Sequence, residues 1–362
     1  MKNSAGLGIG QALLLEKCLL ALELTGRLQQ AGLNFIFKGG TSLLLHFDQP
    51  KRLSIDVDIV CLDELPKLEE VLDKITKEQG SLFIGWDHQK WRDREAPPTL
   101  HFLIYYDSKV EAGGGQSIQL DVIQSECPHA KVIERRIEVG FASLEEEVFV
   151  RIPTASSLLG DKLATLAPTT IGYPYQPITR KGKLAEPRPI KVAKHLFDLS
   201  ELSGVAGNLA ETIQTYQSVH AEQVKFRDEH FEISDCLDDT QDCAYWTSIP
   251  RAPKKDPSGK EKYDYMAQGV NNLKSHLIGG KFGTEGARNA AGRAALVAEL
   301  VRRNRVSFDL PGFLNAPLDL EALKTASLDG LWKYLESIRR TQPNAFACWH
   351  QAQQLRASDA SS

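Results

Sequence analysis

The sequence lacks the features that would place it in a specialised class. Nowhere among its 362 residues is there an apolar run of the roughly 20 residues needed to cross a bilayer. The leucine-rich start, "MKNSAGLGIGQALLLEKCLLALEL", has the look of a signal peptide, but Glu16, Lys17 and Glu23 interrupt it and no small-residue cleavage site follows. An amphipathic helix of a cytoplasmic protein, with no membrane partner, is expected instead. Paired cysteine motifs are missing too. The six cysteines, at 18, 61, 127, 236, 243 and 348, are scattered through a chain too large to need staples, so reduced thiols are expected. Cys127 with His129 and Cys348 with His350 lack the C-x-x-C or H-x-x-x-H companions of a structural zinc site. There is no internal repeat. Nor is there a strong excess of one charge: a net charge of −4 neither supports nor excludes a nucleic-acid partner, because a local basic face can sit within a near-neutral total.

What is present is ordinary globular material, 42% apolar and 25% charged, in a chain longer than one hydrophobic core usually spans. Leucines at helical spacing over residues 11–30 predict a helix that Gly32 stops, followed by the short strand "NFIF". Gly39 and Gly40 come next, and Thr41 stands where the N-cap of a second helix is expected, ended by Asp48 and Pro50. From Leu53 the apolar period becomes two, with Ile55, Val57 and Ile59 on one side and Ser54, Asp56 and Asp58 on the other, which predicts a strand. "LPKLEEVLDKI" returns to helical spacing. "SLFIGW", "TLHFLIYY" and "SIQLDVIQ" read as three strands, the last two joined as a hairpin. After "VFVRIP" the strand signals largely stop; "TASSLLGDKLATL", "KVAKHLFDLSEL", "AALVAELVRR" and "LWKYLESIRR" read as helices. The expected fold is therefore α+β: a mixed sheet with flanking helices over residues 1–152, a helical segment over 153–204 and a mainly helical region over 205–362.

The chemistry points to one stretch, "FIFKGGTSLLLHFDQPKRLSIDVDIV". Asp56 and Asp58, two apart on a strand, put both carboxylates on one side, about 6.6 Å apart along the backbone. Hard oxygen donors so arranged suit Mg²⁺, which takes a few carboxylates and lets a substrate's phosphates complete its shell. A solvated strand face is the bland alternative. An EF-hand is excluded, since "DVDIVCLDELPK" lacks the third acid, the glycine and the closing glutamate. The glycine pair lets backbone approach a phosphate without an intervening Cβ, and a helix opening at Thr41 would aim N–H groups at it. Asp121, in "SIQLDVIQ", is the candidate third acid of a metal site, on a polar stripe from which Gln119 is set apart. Lys162, in "GDKLATL", and Asp198, in "KVAKHLFDLSEL", stand on helices whose ordinary explanations are a solvated lysine and a salt bridge between Asp198 and Lys194.

"KGGTSLLLHF" followed by "KRLSIDVDIV" closely resembles the signature of the AbiEii/AbiGii-type nucleotidyltransferase toxins, a branch of the DNA polymerase beta-like superfamily and components of type IV toxin–antitoxin and abortive-infection phage-defence systems. The resemblance covers roughly residues 10–230. It implies a nucleotidyltransferase core that uses Mg²⁺ (or Mn²⁺) and a nucleoside triphosphate. In that picture Asp56, Asp58 and Asp121 hold metal, while Lys38, Gly39, Gly40, Thr41, Arg52 and Ser54 surround the triphosphate. Lys162 contacts the phosphates, and Asp198, on the helix carrying Lys191 and Lys194, orients the lysine or the acceptor hydroxyl; both groups converge on the aspartates. The implied acceptor is RNA, in particular a tRNA 3′ end, so that translation stops, and the implied partner is a cognate antitoxin.

The loop "APTTIGYPYQPITRKGKLAEPRP" offers Arg180, Lys181, Lys183 and Arg188 to an RNA backbone and Tyr173 and Tyr175 to a stacked base, or is a solvated surface loop. Two other functions stay open from sequence: the same chemistry on a protein hydroxyl or a small molecule such as an aminoglycoside, and a binding module that has lost catalysis.

Overall fold

A computed structural model describes residues 9–89, 99–111, 115–178, 183–227, 229–278 and 281–358. The chain divides into two compact units, one of Met1–Thr154 with Ser275–Gly280 and the other of Ala155–Lys274 with Lys281–Ser362. Together they make a mixed α+β fold.

The first unit is built on a five-stranded sheet ordered β1-β2-β5-β4-β3. Helix α1 (Ile9–Gln30) ends in a Schellman motif, Gly32 N–H bonding to Gln29 O at 3.0 Å and Leu33 N–H to Leu28 O at 3.1 Å, as the glycine signal predicted. β1 (Phe35–Lys38) leads into α2 (Gly39–Ser42) and a 3₁₀ turn over Leu43–His46. β2 (Val57–Cys61), α3 (Leu65–Lys77), β3 (Phe83–Gln89), β4 (Thr99–Asp107) and β5 (Gly115–Ile123) follow. β2 and β5 run parallel; the other neighbours in the sheet are antiparallel.

Alternation explains which face is covered. Phe102, Ile104 and Tyr106 of β4 and Ile118, Leu120 and Val122 of β5 are buried, packed in one core with Cys18, Leu24 and Leu28 of α1 and Leu68, Val71, Leu72 and Ile75 of α3. The residues between them, His101, Leu103, Tyr105, Ser117, Gln119 and Asp121, are only half-buried on the other face. Glu16, which interrupts the leucine run in the sequence, is buried; its carboxylate accepts from Ser108 Oγ and Lys109 N–H, both at 2.6 Å, and so clasps α1 to the end of β4. β6 (Val132–Arg136) pairs with β9 (Phe149–Pro153), and β7 (Glu138–Val139) with β8 (Ala142–Ser143).

The second unit is helical: α4 (Ala155–Thr165), α5 (Pro189–Ser203), α6 (Leu209–Arg227), α7 (Ile233–Ser248), α8 (Pro257–Leu273), α9 (Thr284–Arg302), α10 (Leu310–Asn315), α11 (Leu320–Thr325) and α12 (Pro343–Ser358). Glu299 of α9 is fully buried, and its carboxylate accepts from Arg303 Nε at 2.9 Å, Arg356 Nε at 3.0 Å and Gln241 Nε2 at 3.1 Å, joining α9 to α12 and α7. No helix among the described residues is long and apolar enough to cross a membrane, and all six cysteines are free.

Three expected elements differ. The strand expected from Leu53 begins at Val57, because the preceding run pairs elsewhere: Leu53 N–H bonds to His276 O at 2.7 Å and Ile278 N–H to Lys51 O at 2.8 Å, with Arg52 and Leu277 as bridge partners. The helix expected to be capped by Thr41 starts instead at Gly39, with Lys38 in the cap position and no side-chain cap. "LWKYLESIRR" lies in a 3₁₀ helix, Gly330–Ile338, rather than an α-helix. Its buried residues, Trp332, Leu335 and Ile338, recur every third position, the period of a 3₁₀ turn.

Candidate active site

The glycine pair and the acidic strand meet at once. Gly39 has φ +77° and lies against the Asp58 carboxylate: a Cβ there would sit 2.0 Å from Asp58 Oδ2. Beside it, a Cβ on Gly40 would lie 2.6 Å from Arg52 Nη2 and 2.8 Å from Ser54 Oγ. The space a side chain would need is thus filled by the acid, the guanidinium and the hydroxyl of the downstream motif. Part of the glycine requirement is therefore for these groups to reach the backbone, in addition to the expected approach of a phosphate. Thr41, buried, donates its hydroxyl to the carbonyl of Asp56 at 2.5 Å, and Ser42 Oγ donates to Gly39 O at 3.1 Å. The hydroxyl expected to cap a helix ties the glycine turn to the acidic segment instead. Arg52, 3% exposed, donates from Nη1 to Leu53 O at 3.0 Å.

Strand register assembles the rest. Lys38 on β1 stands opposite Asp58 on β2, Asp58 opposite Asp121 on β5, Asp121 opposite His101 on β4, and His101 opposite Gln89 on β3. Directly opposed residues share a face, so these five side chains form one row across the whole sheet, with Asp56 two residues before Asp58. The row holds a cation, two acids and an imidazole in that order.

Asp121 is engaged by two side chains, His101 of this row and Gln119 of its own strand. His101 Nδ1 lies 2.7 Å from its Oδ1, and Gln119 Nε2 donates to Oδ1 and Oδ2, both at 2.9 Å. Residues 119 and 121 are two apart on a strand and share a face, so the expectation that alternation separates Gln119 from Asp121 is corrected. His101 was not singled out from sequence.

Among the described residues no three His, Cys, Asp or Glu side chains are grouped to hold a metal ion. The donor chemistry does fit one: hard carboxylate oxygens on one sheet face, with Asp58 seated in a cradle that any Cβ at position 39 would fill.

Cys127 and His129 are within reach of each other, Sγ to Nδ1 at 3.5 Å. Burial pushes the Cys127 thiol up, but the hydrogen bond with His129 and the nearby charges, Lys38 among them, outweigh it and hold the thiol below its usual range.

Lys162 and Asp198 belong to the second unit, which brings the two together: Nζ to Oδ2 is 4.0 Å, and both are buried, Asp198 at 1% exposure. Nearly all of α4 is covered, so Lys162 is not the solvated lysine of the bland reading; a buried lysine is rare unless paired. His195, one turn before Asp198 on α5, has a buried Nδ1 without a hydrogen-bond partner among the described residues. Burial first, and the positive charge of Lys162 next, push its pKa down to about 3.

Of the basic loop, Arg180 and Lys181 lie outside the described residues, while Lys183 and Arg188 are exposed. Tyr175 packs edge-on against Tyr265, ring centroids 4.9 Å apart, with its hydroxyl buried. Tyr173 lies beneath Lys191, whose Nζ is 5.3 Å from the ring centroid.

Among solved structures, similarity is found to a nucleotidyltransferase-like antigenic protein of Paracoccidioides brasiliensis, at 16% identity and a TM-score of 0.36, over 62% of this chain and 92% of that one. It is also found to MenT4, a nucleotidyltransferase toxin of Mycobacterium tuberculosis H37Rv, at 12% identity and a TM-score of 0.39, over 94% and 99%. No curated protein matches. The family model for the nucleotidyl transferase AbiEii toxin of type IV toxin–antitoxin systems matches residues 24–271, from α1 through the acidic strands and the Lys162 and Asp198 helices into α8. On that match over more than half of its length, the chain belongs to the AbiEii nucleotidyltransferase toxin family.

Proposed function

We propose that this nucleotidyltransferase is Mg²⁺-dependent and transfers a nucleotide from a nucleoside triphosphate to an RNA hydroxyl, the 3′ end of a tRNA in particular, releasing pyrophosphate and arresting translation and growth. The observation that carries the reading is the row in which Asp58 and Asp121 are direct partners on one sheet face, with Asp56 beside them and Gly39 beneath Asp58. Asp56, Asp58 and Asp121 are the residues to hold the cation, which when bound would neutralise charge on the phosphates and on the leaving group.

The chain's own groups have separable roles. Lys38, Gly39, Gly40 and Thr41 take the phosphates, with Arg52 and Ser54 fixing the glycine backbone they rest against. Lys162 supplies a fixed positive charge to the transferring phosphoryl group, and Asp198 orients that lysine. The acceptor hydroxyl gives up its proton to solvent as its oxygen bonds to the α-phosphorus and the bond to the departing pyrophosphate breaks.

Lys183 and Arg188 are the described basic groups of the loop offered to an RNA backbone, and their contribution would show as salt-dependent binding. A cognate antitoxin follows from the family, and cell interior is the expected compartment.

The test is incubation with each α-labelled nucleoside triphosphate, Mg²⁺ and total RNA, beside an Asp58→Ala control. Label appearing in tRNA, and lost in the variant, is expected. Label in protein or small molecules but never in RNA would sink the acceptor assignment. An Asp58→Ala variant as growth-arresting as the parent would replace catalysis with sequestration.

A further inference from the structure

The Asp121 carboxylate is held by neighbours on both its own and an adjacent strand. Oδ1 accepts from His101 Nδ1 at 2.7 Å and from Gln119 Nε2 at 2.9 Å; among the described residues Oδ2 accepts from Gln119 only, at 2.9 Å. Next to an ionised carboxylate the imidazole proton resides on Nδ1, where it is attracted, which fixes the tautomer. His101 and Asp121 are direct partners across the antiparallel β4–β5 pair, so the contact is set by backbone register and not by a chance rotamer. Their side chains are 33% and 21% exposed, leaving the pair accessible at its outer edge.

We propose that His101 is a positioning residue for nucleotidyl transfer: together with Gln119 it locks the Asp121 carboxylate through Oδ1 in the orientation that faces Asp58, leaving Oδ2 as the oxygen available to a divalent cation. The proposal rests on the Mg²⁺-dependent reading of the row. Hydrogen bonds to a ligating carboxylate restrict its rotation, and losing such a partner typically weakens metal affinity ~10–100-fold. Gln119 alone cannot substitute, because its single amide is shared between both oxygens. Nothing in the arrangement requires His101 to touch substrate.

The experiment is Mn²⁺ binding to the full chain, followed by the electron paramagnetic resonance signal of free Mn²⁺, without nucleotide, on the parent, Asp58→Ala, His101→Ala and His101→Asn, with thermal melting as a check on folding. Asn places its amide nitrogen near the position of the imidazole Nδ1 and keeps the donor. We expect His101→Ala to weaken Mn²⁺ binding about 10–100-fold at an unchanged melting temperature, and His101→Asn to stay within about 3-fold of the parent, a difference under roughly 0.7 kcal/mol. Parent-like affinity in His101→Ala overturns the proposal while leaving the metal reading intact, as does His101→Asn binding as weakly as His101→Ala. A parent with no Mn²⁺ site sensitive to Asp58→Ala overturns the metal reading and the proposal with it. Nucleotide transfer measured on the same variants should fall in kcat for His101→Ala and recover in His101→Asn.

Discussion

Asp58 on β2 and Asp121 on β5 stand directly opposite one another across the only parallel pair in the five-stranded sheet, so that two acids share one face of adjacent strands. Like charges so placed repel one another and destabilise the pairing. Lys38, opposite Asp58 on the other side, offsets part of that repulsion, and a bound dication would relieve the remainder.

Replacing Asp58 by Asn removes the repulsion along with a proposed ligand. Without divalent ions, Asp58→Asn is expected to melt at or slightly above the parent temperature. Added Mg²⁺ should raise the melting temperature of the parent and leave the variant unmoved. Equal Mg²⁺-dependent shifts in the two proteins would refute the assignment of Asp58 as a ligand.

Gly39→Ala tests the cradle. The alanine must adopt φ +77° and put its Cβ 2.0 Å from Asp58 Oδ2, so a backbone cost of about 1–2 kcal/mol comes with displacement of the carboxylate. Gly32→Ala is the control, since Gly32 has φ +81° but open space around its Cβ position. Denaturant unfolding should show a similar backbone cost in both. Transfer activity should be lost in Gly39→Ala only; retention there would mean that Asp58 does not need its present seat.

Much of the first unit is legible in the sequence because its elements are periodic over many residues. The stripe of Leu68, Val71, Leu72 and Ile75 and the alternation of Phe102, Ile104 and Tyr106 are repeated statements of one fact, which face meets the core. The start of β2 was not legible, because residues 51–53 pair with a segment around Leu277 that is distant in the chain, and no local pattern encodes that. Thr41 misled for a related reason: its hydroxyl serves a tertiary contact to Asp56 instead of the helix end.

His101 was recoverable in principle. Asp107 pairs with Gly115 beside the turn of the hairpin, and moving six residues away from the turn, back along β4 and forward along β5, sets His101 against Asp121. What the sequence withheld was the hairpin register. Lys162 was harder still, since a lysine on a helix reads as solvated until all the neighbours that bury it are known.

The Lys162–Asp198 pair is a test of burial. Removing one partner of a buried ion pair leaves an uncompensated charge at a cost of about 3–5 kcal/mol, whereas replacing both is often nearly neutral. Lys162→Met and Asp198→Asn should each destabilise strongly, and the double variant should recover part of the loss while remaining inactive. Strict additivity of the two single changes in denaturant unfolding would show that the 4.0 Å separation carries no coupling.

Two half-buried histidines contribute to the acid response, beside His350, which burial also pushes down. Burial pushes His46 down to about 4 and His195 down to about 3, from 6.5. Both are therefore neutral in the folded protein at a pH where the unfolded chain has begun to protonate them. Between pH 6.5 and about 4 the unfolded state binds more protons, so stability falls as pH falls through that window. Buried carboxylates held below their usual range add their own loss only lower down: Glu299, whose three hydrogen-bond donors outweigh its burial, starts from an unfolded value of 4.5. The interval from pH 6.5 to 5 thus reports mainly on histidine. His46 Nε2 donates to Pro153 O at 2.9 Å, a bond that the amide of His46→Gln can keep without a titrating group. That variant should flatten the stability–pH slope over pH 6.5 to 5 in denaturant unfolding while leaving stability at pH 8 within about 1 kcal/mol of the parent, the usual worth of one hydrogen bond. An unchanged slope would mean that His46 does not carry the acid sensitivity of the first unit.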